Sequence, residues 1–519
     1  MSATPNILFV ITDQHRADHV GFAGNPIVQT PNLDRIAANG MVFDNAWVSN
    51  PVCMPNRSTL MTGRMPSAHG VIFNDRSLDW GANTFVRRFR KSGYRTGLIG
   101  KSHLQHGMSK NAVVEHRGQP SGRSGFAEGW DEIEDFERYI DGFPPAPDDF
   151  YGFDHIELSI DHGARLSGHH LQWALARGGR LDELLIDQDG MPPGADRSAH
   201  WKQIYRPPYP EHLHSTAFVT ERTMAFINEA HREGSPWLAW CSFPDPHHPM
   251  TPPGDWFDLY DPRDMPLPAT RNDDLSRAPA HLQQIAQIHP RDQRNWVAPC
   301  GFGSDELLAE AIAATYGMIS MIDHGVGQIL HQLDDLGISD NTIIVFTSDH
   351  GDMMGDHSLF LKGFMHYRGT LQVPLVLNVP GQAPGRTSSL ASSIDLAPTL
   401  LDLCDIKPYD GIQGLSLKPV VEDSMTKVRS SVLIEDDVAM ITSKLTPFPA
   451  RTRTLVTETH RFTRNSKGET QLFDLRDDPD EMHQIDDAEL TADLTTEMVD
   501  MMMLADDSSR GAPAKEPVG

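Results

Sequence analysis

Short, mostly apolar runs recur along the chain, and each is followed at once by polar residues. "NILFVIT" (6–12), "MVFDNAWV" (41–48), "YRTGLIG" (94–100), "PWLAWCSF" (236–243), "TIIVFTS" (342–348) and "VPLVLNV" (373–379) lack the strict alternation of a strand with one wet face. They predict strands buried on both faces, as in a parallel sheet covered by helices. Helical signals fall between them. "TPNLDRIAANG" (30–40) offers Thr as N-cap, Pro at the first helical position and a closing Gly. "NTFVRRFRKSG" (83–93) also closes on Gly, and the longest periodic stretch runs from Ser304 to Gly337. Alternating strands and helices through about residue 420 predict an α/β fold with a large, mostly parallel sheet flanked by helices.

Two regions depart from this rhythm. From about 104 to 235 the chain is rich in Gly, Pro, Asp and His with weak periodicity, and is expected to be an irregular insertion covering the active face. Beyond 420, "SVLIED", "TRTLVTETHRFTRN" and "ETQLFDL" predict a small antiparallel sheet, "AELTADLTTEMVDMMMLA" a final helix, and the last dozen residues no fixed structure. The expected organisation is therefore a catalytic α/β domain over 1–420 and a C-terminal subdomain over 421–519.

Composition narrows the partners. The 519 residues carry 44 Lys and Arg against 71 Asp and Glu, a formal charge of −27. Such a surface disfavours nucleic acid and anionic membrane, and an anionic substrate would need local positive charge. No apolar run reaches the roughly 18 residues of a membrane span. "MSATPNILFVITDQ" has neither a basic n-region nor a small-residue cleavage site, so a cytoplasmic location is expected. The four cysteines show no CxxC spacing, which disfavours a disulfide framework or a structural zinc site. A homo-oligomer is compatible with the sequence.

Parallel sheets bind ligands beyond the carboxyl ends of their strands. Four strand ends deliver chemistry: Asp13 and Gln14; Lys101 and His103; Asp245, His247 and His248; Asp349 and His350. Asp13, Gln14, Asp349 and His350 form an oxygen-rich set with one nitrogen, suited to Ca²⁺, Mg²⁺ or Mn²⁺. Arg57, Lys101, Lys362 and the histidines supply positive charge, and a cation beside basic side chains binds an oxyanion ester. Cys53, in "VCMPNRSTLMTGR", stands just before a helix expected at about 56–63, one turn from Arg57. It reads as a buried structural thiol, a low-pKa nucleophile or the precursor of another group. Cys241, Cys300 and Cys404 read as structural, Asp356 and His357 as loop-shaping, and His212 and His214 as lesser candidates for the substrate pocket.

"CMPNRSTLMTGR" resembles the C-x-P-x-R…T-G-R signature of type I sulfatases, in the alkaline phosphatase superfamily. "FVITDQHRAD", "GLIGKSHL", "PDPHHPMTPP", "VFTSDHGDMMGDHSLFLKG" and "LFDLRDDPDE" resemble the family's other blocks, in its order, over residues 6–481. Asn56 stands where the family usually has Ser or Ala. Asp13–Gln14 with Asp349–His350 resembles the subgroup of choline sulfatases and phosphonate monoester hydrolases, whereas Lys101 and His103 are sulfatase-like.

The resemblance implies one divalent metal, Ca²⁺ or Mn²⁺, held by Asp13, Gln14, Asp349, His350 and position 53. It also implies that a maturation enzyme oxidises Cys53 to formylglycine, whose hydrate is the nucleophile. Arg57 and Lys101 would hold the hydrate. Lys362 and His247 would bind the ester and assist departure of the alcohol, with Asn74 near the transferred group. His103 would take a proton as sulfate leaves. The implied activity is hydrolysis of aryl or alkyl sulfate monoesters. The alternatives are a phosphonate monoester or phosphodiester hydrolase using the same residues, or a non-catalytic anion-binding homologue.

Overall fold

The computed structural model describes residues 4–506 apart from 75, 107–128, 146, 161, 187–195, 293–298, 439–443 and 445–447. The first strands are β1 (Asn6–Thr12), β2 (Met41–Trp47), β3 (Arg95–Gly100), β4 (His155–Leu158) and β5 (Trp237–Ser242). After them come β6 (Cys300–Gly301), β7 (Thr342–Ser348), β8 (Leu359–Phe360), β9 (Leu375–Asn378) and β10 (Gly385–Ser392). Eight of them form one sheet in the order β10-β2-β9-β7-β1-β5-β3-β4, while β6 and β8 pair as a small separate ribbon. Within the large sheet β9 runs antiparallel to both its neighbours and every other pairing is parallel. The expected α/β fold with a mostly parallel sheet is thus present.

Helices cover both faces of this sheet. They include α1 (Pro31–Ala38), α2 (Cys53–Thr62), α3 (Phe85–Lys91), α4 (Ser215–Glu233), α5 (Asp305–Asp335) and α6 (Leu396–Leu403). Successive side chains of a strand point to opposite faces. Accordingly Ile7, Phe9 and Ile11 enter a core shared with α3 and α6, and Leu8 and Val10 enter another shared with α1, α4 and α5. Ser304 caps α5 through Leu307 N, as its sequence predicts. Thr30 stands at the start of α1 but makes no side-chain cap there. The carboxylate of Asp323 on α5 accepts from Asn32 N and Leu33 N instead, so a distant residue satisfies the helix end.

The irregular insertion proves more ordered than expected. Its β4 adds to the edge of the main sheet, and its nineteen-residue α4 packs on that sheet between His214 and Gly234. Threonines and small residues on the buried face of α4, including Thr216, Thr220 and Thr223, blur the apolar period that would have announced it. The C-terminal part forms an antiparallel sheet of β11 (Ser431–Asp437), β12 (Arg451–Thr457), β13 (His460–Asn465) and β14 (Thr470–Asp474), with the final helix α7 (Ala488–Ala505). Its edge strand β11 is tied to the main unit: Glu435 N donates to Ser49 O, and Ser67 N donates to the Glu435 carboxylate. The last dozen residues lie outside the described ones. Among the described residues no helix is long and apolar enough to cross a membrane.

Candidate active site

Asp13, Lys101, Ser242 and Asp349 stand at or just beyond the carboxyl ends of parallel strands, and one arginine joins these four ends. Arg57 Nε donates to Asp349 Oδ2 (2.6 Å), beyond β7. Its Nη2 lies 3.5 Å from Asp13 Oδ2, beyond β1. Its Nη1 donates to Ser242 Oγ (2.9 Å) at the end of β5 and to Lys101 O (3.1 Å) beyond β3. These strands are consecutive in the sheet, and Arg57 is fully buried beneath the site. The planar guanidinium fork suits this task, since a lysine offers one point charge. A glycine permits the close approach at β3: Gly100 has φ 100, and a Cβ there would overlap the Ser242 carbonyl oxygen.

Arg57 arrives on α2, and here the expected boundary moves. The helix starts at Cys53 itself rather than at about residue 56, and Gly63 closes it in the left-handed conformation. Cys53 is therefore the first helical residue. Asn74 supports this end, its Oδ1 accepting from Met54 N (3.0 Å). Asn56 faces inward: its Nδ2 donates to Asp349 O (2.5 Å), and its Oδ1 accepts from Ser393 Oγ (2.6 Å) and Ser49 N (3.1 Å).

The Cys53 thiol sits among charged groups. Its Sγ is 3.0 Å from Lys362 Nζ, 3.1 Å from His350 Nε2 and 3.8 Å from Asp13 Oδ1. Lys362 Nζ is also 2.9 Å from His350 Nε2. Burial and Asp13 push the Cys53 thiol up, but Lys101, Lys362 and His350 outweigh them and bring it down to about 6. By contrast, burial pushes Cys241 up to about 12 and Cys404 to about 11. Cys53 is thus set apart electrostatically from the structural thiols. Burial opposes charge on Asp13, yet Lys101, Lys362 and His247 hold its carboxyl well below the usual carboxylate range. Burial and Lys362 oppose a charge on His350, and Asp349 with Cys53 raise it nonetheless.

Asp13, Cys53, Asp349 and His350 each offer a donor atom within 4.8 Å of one another, and all four are buried. Two carboxylates, one imidazole and a fourth group that can ionise fit a divalent cation. Gln14 stands beside this set. Its backbone N donates to Asp349 Oδ1 (3.1 Å), while its carboxamide is engaged by His248 Nδ1 (3.2 Å) and the Asp352 carboxylate.

Lys101, His103 and His247 lie on the other side of Asp13. Lys101 Nζ bonds the Asp13 carboxylate. Burial, Lys101, His162 and Arg57 hold His103 well below the ordinary imidazole range, and its Nδ1 has no hydrogen-bond partner among the described residues. Burial, His162, Lys362 and His248 do the same to His247, whose Nδ1 bonds the His248 carbonyl oxygen. Gln14 (φ 63), His103 (φ 58), Leu361 (φ 70) and Phe364 (φ 64) adopt the left-handed conformation around this site, a strain that bulky residues usually avoid.

The lesser candidates divide. His214 is a buried cap of α4 and His212 is exposed, so neither joins the cluster. His248 is buried against His247, with ring centroids 4.1 Å apart. Asp356 bonds Arg16 and Thr270, and His357 bonds Asp273. Two participants carry no sequence signal of their own. Asp352 accepts from Gln14 Nε2, Met354 N and Leu361 N, and so pins the loop that carries Lys362. His162 contacts Lys101 and Asp13. It lies beyond β4, a strand of only four residues in a region without periodicity, so no strand end drew attention to it.

Comparison with known proteins agrees with this geometry. Residues 5–406 match the family model described as Sulfatase, and residues 355–507 that described as N-sulphoglucosamine sulphohydrolase, C-terminal. An arylsulfatase of Clostridium perfringens is 30% identical, covering 93% of this chain and 91% of its own. A choline-sulfatase of Rhizobium meliloti is 26% identical, over 80% and 71% respectively. The crystal structure of a phosphonate monoester hydrolase of Agrobacterium radiobacter superposes with a TM-score of 0.77 at 25% identity, over 96% of this chain and 95% of that one. The fold is that of the alkaline phosphatase superfamily, and the chain belongs to the sulfatase family.

Proposed function

We propose that the protein hydrolyses sulfate monoesters of aryl or alkyl alcohols, with Cys53 processed to formylglycine and one Ca²⁺ or Mn²⁺ at Asp13, Asp349, His350 and position 53. The observation that carries this reading is the gathering of Arg57, Lys101 and Lys362 around Asp13 and Cys53 in a chain of charge −27. Three basic side chains at one buried point provide the local field that an anionic ester needs.

A divalent cation at this site supplies Lewis acidity toward the ester and lowers the pKa of a hydroxyl beside it. Formylglycine, installed by a maturation enzyme, supplies a hydrate with two hydroxyls on one carbon. The first, ionised, forms the bond to sulfur as the sulfur–oxygen bond to the alcohol breaks; loss of the proton of the second makes the aldehyde and breaks the carbon–oxygen bond, expelling sulfate, and water then restores the hydrate. The chain's own residues do the rest. Arg57 holds Asp13 and Asp349 in place through its buried ion pairs with both. Lys101 and Lys362 donate to the ester oxygens and stabilise the charge that grows on them. With its Nδ1–H donated to the His248 carbonyl oxygen, His247 turns Nε2 to the ester, and as the imidazolium, which the bound anionic ester favours, it gives a proton from Nε2 to the departing alcohol. His103, held neutral at ordinary pH, accepts the proton of the second hydroxyl. Asn74 holds the start of α2 and with it position 53. Gln14, whose backbone N donates to Asp349 Oδ1, would add its carboxamide oxygen to the cation on turning it from His248. The catalytic unit extends to about residue 420, and the C-terminal unit from 421 braces it through β11.

A second reading, hydrolysis of phosphonate monoesters, is favoured by the Asp13–Gln14 and Asp349–His350 pairs and by the likeness to the Agrobacterium enzyme. The ammonium of Lys101 and the imidazole of His103 favour sulfate. The deciding experiment compares kcat/KM for an aryl sulfate and an aryl phosphonate monoester, using protein co-expressed with a maturation enzyme. Faster turnover of the sulfate is expected; preference for the phosphonate by several powers of ten overturns the first reading. Full activity with Cys53 unmodified by mass spectrometry overturns the formylglycine part.

A further inference from the structure

We propose that His162 is a positioning residue of this site, one that sets the direction of the Lys101 ammonium and the plane of the His247 ring. The inference rests on the reading of Lys101 and His247 as groups that hold the ester.

The geometry starts at the sheet edge. Gly100 on β3 pairs with Leu158 on β4, and Ser159 N donates to Gly100 O (3.0 Å). Lys101 and Ser159 therefore leave the sheet side by side. Three residues on, His162 Nε2 meets Lys101 Nζ while lying 3.6 Å from Asp13 Oδ2. The His162 ring stacks on His247 with centroids 3.7 Å apart and planes at 23°. His247 stacks in turn on His248 at 4.1 Å and 19°, and His248 reaches Gln14. Three imidazoles thus form a continuous stack from Lys101 to Gln14. The next residue holds the loop down: Gly163 (φ 66) lies against Pro249, where a Cβ would be 3.0 Å from the ring. The segment bearing His162 and the loop bearing His247 and His248 are therefore packed together and cannot shift independently.

The chemistry rests on donor arithmetic. An ammonium on a flexible four-carbon stem has three donors and little directional preference of its own. Asp13 takes one donor of Lys101 and His162 Nε2 takes a second, so the third has a defined direction for an ester oxygen. For His162 to accept at Nε2, its own proton must sit on Nδ1. Asp13, His162 and His247 also offer three atoms within reach of one another, the pattern of a metal site. The Lys101 ammonium, however, already sits against both Asp13 and His162 as their cation. That favours positioning over a second ion.

Three variants separate the two contacts. His162→Phe keeps a ring to stack on His247 and loses the acceptor. His162→Asn keeps an acceptor for Lys101 and loses the stack. His162→Ala loses both. Two quantities are read in matured, metal-loaded protein: kcat and KM for 4-nitrophenyl sulfate, and binding of inorganic sulfate by calorimetry. Loss of a charge-assisted contact predicts a fall in kcat/KM of about 10- to 100-fold for His162→Ala. Sulfate binding should weaken in His162→Ala and His162→Phe, at unchanged thermal midpoint, and recover in part in His162→Asn. If His162→Ala and His162→Phe bind sulfate and turn over substrate as the wild type does, the inference is overturned. Should His162→Ala fail to fold, the comparison of His162→Phe with His162→Asn decides it by the same readouts. If the wild type turns over no sulfate ester, the functional reading falls on its own. The calorimetric comparison then still tests the positioning of Lys101: weaker sulfate binding in His162→Phe supports it, and equal binding overturns it.

Discussion

Lys362 Nζ lies 3.0 Å from Cys53 Sγ, although 309 residues of chain separate the two. This contact joins the residues just past β8 to the start of α2, and with Lys101 and His350 it lowers the pKa of the thiol. In metal-free protein with Cys53 unconverted, the group is a thiol below about pH 6 and a thiolate above it. Only the thiolate is alkylated. Iodoacetamide labelling followed by mass spectrometry should therefore rise with pH through a midpoint near 6. In Lys362→Met, one of the cations that hold the thiolate is gone and the midpoint moves up. A wild-type midpoint at the ordinary thiol value contradicts this account.

Arg57 ties four strand ends together, and its removal leaves Asp13 and Asp349 buried with less compensation. Arg57→Ala should cost about 3–5 kcal/mol of stability, the usual result of breaking a buried ion pair from one side. Arg57→Lys should recover only a fraction, because one ammonium cannot reach four strand ends. Urea denaturation of the metal-free variants measures both. A loss below about 1 kcal/mol, the range of an exposed pair, would show that the guanidinium does not brace the sheet.

Metal loading should stabilise the protein through the same carboxylates. At a free concentration 100 times Kd, a cation that binds only the folded state adds about 2.7 kcal/mol. Addition of Ca²⁺ or Mn²⁺ to chelator-treated wild type should raise the unfolding free energy on that scale, and Asp349→Asn should abolish the response. Equal stabilisation of the variant would place the ion elsewhere.

The C-terminal sheet is expected to matter for catalysis as well as stability. Asp436 on β11 accepts from Phe364 N (3.0 Å) and faces His366 Nε2 (3.3 Å), just beyond Lys362. The intervening backbone is left-handed at Leu361, Gly363 and Phe364, so it needs outside support to hold its course. Asp436→Ala should cost about 1–3 kcal/mol and lower kcat/KM about 10-fold, whereas Asp436→Asn, which keeps an acceptor, should stay near wild type. Unchanged kinetics in Asp436→Ala would separate the small sheet from the active site.

The strands bearing Asp13, Lys101, His247 and Asp349 were legible because a strand buried on both faces is written locally as an unbroken apolar run. In a parallel sheet, the residues just past such runs gather along one edge. The helix α4 and the strand β4 were not legible. Threonine-rich burial hides the period of the first, and four residues are too few to show a period in the second. The start of α2 was misplaced by about a turn for a similar reason. Pro55, inside the first turn, reads as the end of a loop, yet proline is tolerated there because the first amides of a helix have no internal partner.

The sequence by itself determined the fold class, the order of the chemical blocks and the identity of the groups around Cys53, since each depends on residue type and near neighbours. Only the tertiary structure decided how they meet. It placed one guanidinium across four strand ends, turned Asn56 toward Asp349, engaged the carboxamide of Gln14 with His248 and Asp352, and brought His162 from the sheet edge onto Lys101 and His247. These relations depend on strand order and on the packing of loops far apart in the chain, and neither leaves a local signature in the sequence.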